Sequence, residues 1–130
     1  SVFPGIDRTL VLVEGAGVDL VSAAGTIALP GGHAIARFPG ELEVRARLHA
    51  GPVRDLNLMV RRAAWGCEAA VVEVRGPTEL GTGRPILAVA IDGEPVAGGF
   101  ALAPGEAVAV DGTLAANGVG TLLVARLAPK

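Results

Sequence analysis

The chain has 130 residues, 51% of them hydrophobic, and a formal net charge of −2. That length suits one domain burying roughly two-thirds of its unfolded surface. With three Phe, one Trp, no Tyr and no basic cluster beyond the pair Arg61 and Arg62, the composition argues against nucleic-acid and carbohydrate stacking platforms.

No apolar run reaches the roughly 18 residues that a membrane helix needs, and no signal peptide is visible. The 19 glycines and 9 prolines predict many turns and few long helices. Cys67 is the one cysteine, so no internal disulfide forms, and a reducing cytoplasm is the compartment expected.

Residues 9–14 (TLVLVE) are β-branched and apolar and predict a strand, closed by Gly15-Ala16-Gly17. Strands follow over 18–22 and 25–29, and Pro30-Gly31-Gly32 makes a turn before a strand over 33–38. Residues 41–49 give the cleanest period-2 pattern. Leu42, Val44, Ala46 and Leu48 alternate with charged residues, which predicts one buried face. Residues 53–65 fit both a helical stripe and a strand face; their setting among strands favours β. Strands are expected at 68–74, 86–91, 107–110 and 121–127, and residues 78–84, with two glycines ahead of Pro85, predict a loop. An ungapped match of LPGGHAIA (29–36) to LAPGEAVA (102–109) suggests two related β units.

The stretch GPVRDLNLMVRR (51–62) sets Arg54, Asp55 and Asn57 among apolar residues. Buried polar groups of this kind need partners. As strand residues, Asp55 and Asn57 share a face. They either brace the Gly51-Pro52 turn or line a pocket, where Asn57 donates and accepts and Asp55 orients Arg54 or a ligand. Arg8, after the turn in FPGIDR, is either an exposed strand opener or a clamp for a carboxylate, which a guanidinium binds bidentately. No G-x-S-x-G elbow, P-loop or dinucleotide fingerprint is present, and Cys67 reads as inert packing.

FPGIDRTLVLVEG, the Phe38-Pro39-Gly40 turn and GPVRDLNLMVRR together resemble the HutD/Ves family of cupin-like proteins associated with histidine utilisation. The resemblance covers most of the first half of the chain. It implies an all-β, cupin-like bicupin, a double-stranded β-barrel or jelly roll, with residues 1–64 and 65–130 as its halves. It also implies a cytoplasmic protein with no established enzymatic activity and no cofactor. Its pocket would take a small anionic metabolite such as urocanate or formylglutamate, with Arg8, Asp55 and Asn57 at the family's polar positions and Arg54 beside them. Metal-dependent cupins use three His and one Glu with an H-x-H spacing; only His33 and His49 exist here, without that spacing, so no metal is expected. Family members carry a W-K-N-G-G segment ahead of the FPG motif that this sequence lacks; an open barrel wall and a homodimer through strand edges are the corresponding expectations. The competing readings are a cupin-type isomerase or lyase, and a structural interaction domain.

Overall fold

The computed structural model describes all residues, Ser1–Lys130, as twelve strands without a helix. No helix is therefore long and apolar enough to cross a membrane. The chain divides into two compact units, Ser1–Ala63 and Ala64–Lys130.

The first unit is a pair of three-stranded antiparallel sheets. One has the order β4-β1-β6, from β1 (Ile6–Glu14), β4 (Ile35–Pro39) and β6 (Arg54–Arg61); the other has the order β3-β2-β5, from β2 (Val18–Ser22), β3 (Gly25–Leu29) and β5 (Arg45–Leu48). Alternation places Leu10, Leu12, Ala36 and Phe38 on the inner side of one sheet and Val18, Leu20 and Leu29 on that of the other, and these residues form one buried cluster. Burying each large aliphatic side chain contributes about 1.5–3 kcal/mol, so this cluster is the main anchor of the unit.

The second unit is a single six-stranded antiparallel sheet. Its order is β10-β9-β11-β8-β12-β7, from β7 (Trp65–Arg75), β8 (Thr78–Gly93), β9 (Val96–Ala97), β10 (Phe100–Ala101), β11 (Ala107–Asn117) and β12 (Val119–Pro129). Register shifts at Val110/Gly112, Leu114/Ala115 and Thr121/Leu122 interrupt the ladders. Such shifts bend strands. The sheet thereby curls around one core that holds Leu80 and Ala90 from the two ends of β8 together with Leu114, Leu122 and Val124. The architecture is cupin-like and all-β, as the sequence predicts.

Three local expectations change. Residues 78–84 are not a loop; they begin β8, because Thr78, Glu79, Gly81, Thr82 and Gly83 all pair with β11. Residues 41–49 form a strand only at Arg45–Leu48, and all four of its residues are exposed. Leu42 and Val44 still pack on the core, but Glu41 is drawn away into an ion pair. The strand expected at 33–38 begins instead at Ile35, since His33 has a positive φ of 64° that belongs to the turn before it. The ambiguous stretch 53–65 resolves as β6 and the start of β7.

Candidate functional site

The polar site grows from the register of three strands. Opposed residues of an antiparallel pair project to the same side. Arg8 of β1 faces Phe38 on β4 and Met59 on β6; Leu10 faces Ala36 and Asn57; Leu12 faces Asp55. Since Leu10 and Leu12 are core residues, Arg8, Asp55, Asn57 and Met59 all stand on the inner side of the sheet. Asp55, Asn57 and Met59 remain exposed because β6 is the edge strand.

The tripeptide Phe-Pro-Gly occurs twice, at residues 3–5 and 38–40, and the two copies meet. The Phe3 amide donates to the Gly40 carbonyl (2.7 Å), and the Gly40 amide donates to the Ile6 carbonyl (2.6 Å). Both phenyl rings then take the Arg8 guanidinium between them, its Cζ lying 5.1 Å from the Phe3 centroid and 4.8 Å from that of Phe38. Such contacts hold a cation by the ring quadrupole and restrict its rotamers.

Arg8 Nη2 donates to Asn57 Oδ1 at 2.8 Å. Its Nε is buried without a partner, and its Nη1 makes no bond within the protein and is not buried. No carboxylate pairs with Arg8. Asn57 Nδ2 reaches Asp55 Oδ1 at 3.5 Å, a weak contact. Asp55 makes no bond to the Gly51-Pro52 turn, and it does not hold Arg54. Arg54 pairs with Glu14 beyond a register shift between Leu12 and Glu14, and its guanidinium reaches that carboxylate at 3.5 Å, with both side chains exposed. The structure thus brings Arg8, Asn57 and Asp55 together and separates Arg54 from them.

The sequence reading missed Arg62, which ties the site's scaffold. Its Nε donates to Asp7 (2.7 Å), its Nη1 and Nη2 grip both oxygens of Glu41 (3.1 and 2.8 Å), and Nη2 also reaches the Ile6 carbonyl (3.0 Å). The Gly5 amide donates to Glu41 Oε2 at 2.8 Å. A bidentate pair of this kind fixes geometry as well as charge. The Arg62 hydrogen bonds, followed by the Gly5 amide, push the Glu41 carboxyl from 4.5 down to about 2, and Glu41, then Asp7, raise the Arg62 guanidinium. The repeated Phe-Pro-Gly was the available signal for this junction.

A lowered carboxyl pKa contributes stability above its unfolded value and loses it as pH falls through the folded one. Stability should therefore fall between pH 4.5 and about 2. A series of urea unfolding curves across that range should show this decline, and Glu41→Gln should remove part of it.

A second polar cluster lies on the opposite side of the β3-β2-β5 sheet. Asp19 accepts from Arg47 Nη2 at 2.8 Å and lies 2.7 Å from His49 Nε2. His49, then Arg47, hold its carboxyl below the usual range. His33 lies half-buried in its turn. Nowhere do three His, Cys, Asp or Glu side chains converge as metal ligands would.

With this geometry in view, the sequence model of HutD matches residues 1–123. The chain belongs to the HutD family. Among solved structures, HutD from Pseudomonas fluorescens SBW25 (formate condition) superposes with a TM-score of 0.84 at 24% identity, over 100% of this chain and 72% of that one. A conserved protein of unknown function from Pseudomonas aeruginosa PAO1 superposes with a TM-score of 0.88 at 20% identity, over 100% of this chain and 76% of that one. At such identities the likeness concerns the fold. No curated protein matches the chain. In this HutD-family chain, the twin Phe-Pro-Gly junction brings Phe3, Phe38 and Arg8 together.

Proposed function

We propose that this HutD-family protein is a metal-free, non-enzymatic binding or regulatory protein of histidine utilisation in the cytoplasm, and that its first unit takes a small carboxylate such as urocanate or formylglutamate. One observation carries the reading. Arg8 is held between two rings and bonded to a neutral amide, with no acidic partner, whereas Arg62 nearby has two. A fixed, partly desolvated guanidinium without a counter-ion is a prepared anion site. Asn57 fixes the rotamer of Arg8, and Nη1 is the donor left for the ligand. Asp55, roughly 7 Å further along the strand, suits an N–H donor at the ligand's other end. Urocanate has one on its imidazole and formylglutamate on its formamide.

Calorimetry tests this with urocanate, N-formyl-L-glutamate and the neutral amide of urocanate. At least one acid should bind and the amide should not. Arg8→Ala should weaken the acid about 100-fold, the scale of a lost charge-assisted pair. No heat from either acid, or equal affinity in the variant, contradicts the proposal.

A further inference from the structure

The second unit has an open cleft of about 880 Å³, within the size range of small-molecule sites. Every residue lining it belongs to this unit, chief among them Trp65, Arg84, Pro85, Asp111 and Pro129. Its origin is a fault in the ladder. Ile86 pairs with Val110 and Gly83 with Gly112, leaving Arg84 and Pro85 on β8 opposite Asp111 alone on β11. Gly112 takes the positive φ of 118° at this bulge. Three side chains are thereby released from the regular pairing at the cleft. On the β7–β12 side, Trp65 pairs with Pro129, and the two supply an apolar wall.

Arg84 and Asp111 lie near each other across the ladder, yet they form no ion pair with each other or with any other residue. An unpaired cation, an unpaired anion and an indole thus share one concave surface. Like-charged or neutral surroundings would favour a different ligand; this set matches a molecule carrying both signs of charge on a planar apolar body. We propose that this cleft is a second ligand site, independent of Arg8, for a small zwitterion of the aromatic α-amino-acid class. The guanidinium of Arg84 takes the carboxylate, Asp111 takes the ammonium, and the Trp65 indole packs against the planar side chain.

Trp65 is the only tryptophan, so its emission reports directly on the cleft. The probe is L-phenylalanine, compared with 2-phenylethylamine, which lacks the carboxylate, and 3-phenylpropionate, which lacks the ammonium. L-Phenylalanine should give a saturable change below about 10 mM, with each truncated analogue roughly tenfold weaker. Arg84→Gln should abolish the preference over the amine, and Asp111→Asn the preference over the acid. Both positions are exposed, so neither change threatens folding, and the Arg8→Ala protein should respond as the parent does. No saturable change up to that concentration overturns the proposal. So do equal affinities for the three compounds, which would indicate apolar contact alone.

Discussion

Gly40→Ala should destabilise the first unit by about 3 kcal/mol or more, the scale of a side chain forced against backbone. A Cβ at residue 40 would run into the Phe3 carbonyl oxygen and lie 2.9 Å from that of Ile6. The Phe3 oxygen accepts from the Ile6 amide and the Ile6 oxygen from the Gly40 amide, so moving either carbonyl loosens the turn or its bond to the second Phe-Pro-Gly segment. The requirement is for space, since Gly40 has no positive φ. Gly5→Ala makes the contrast: nothing lies within 4 Å of its Cβ, but its φ is 74°, so only the conformational cost of about 1 kcal/mol applies. Urea unfolding monitored by circular dichroism should separate the two variants clearly. Similar losses in both would mean that the close approach at Gly40 is not what holds the junction.

Phe38→Ala should cost about 3–5 kcal/mol, as truncation of a buried aromatic does. Phe38 is only 6% exposed and belongs to the core of the first unit. The same ring covers one side of Arg8, so the substitution should also loosen the proposed carboxylate site. Phe38→Leu tells these roles apart. It keeps most of the volume and should cost under about 1.5 kcal/mol, while removing a ring–cation contact worth about 0.5–2 kcal/mol. Affinity for the carboxylate, measured by calorimetry, should fall several-fold while unfolding changes little. Unchanged affinity in Phe38→Leu would show that the ring serves packing alone.

Much of the fold is written in local pattern. The β-branched run after Arg8 and the Pro-Gly turns are short-range signals, and each has its counterpart in the structure. The expectation failed where long-range pairing decides. Residues 78–84 look like a loop by composition, but a strand partner in β11 satisfies their backbone, and glycines there accommodate the curl. Residues 41–44 look like a strand by alternation, but the Glu41–Arg62 pair takes the chain elsewhere.

The site was legible to a similar degree. Arg8, Asp55 and Asn57 could be singled out as polar groups in apolar company, and period-2 geometry gave Asp55 and Asn57 a common side. That Arg8 joins them depends on the β1–β6 register, which places Leu10 opposite Asn57; nothing local in the sequence specifies it. Adjacency in sequence groups Arg54 with them, yet a register shift between Leu12 and Glu14 gives Arg54 a different partner, Glu14. Nothing local in the sequence marks Arg62, because its partners, Asp7 and Glu41, come from distant segments. The duplicated Phe-Pro-Gly hinted at that junction without saying that the two copies touch.

The guanidinium of Arg8 is the proposed receiver of the ligand's carboxylate. That role is tested by the nuclear magnetic resonance signal of the Arg8 Nε–H group, assigned through Arg8→Lys, as urocanate and, separately, N-formyl-L-glutamate are added. That N–H is buried and unpartnered, so it is shielded from exchange with water and sensitive to any new bond on the same guanidinium. A progressive, saturable shift of this signal, accompanied by that of the Asn57 side-chain amide, is the expected result. A signal that stays in place while either acid binds elsewhere, or when neither acid binds at all, would contradict it.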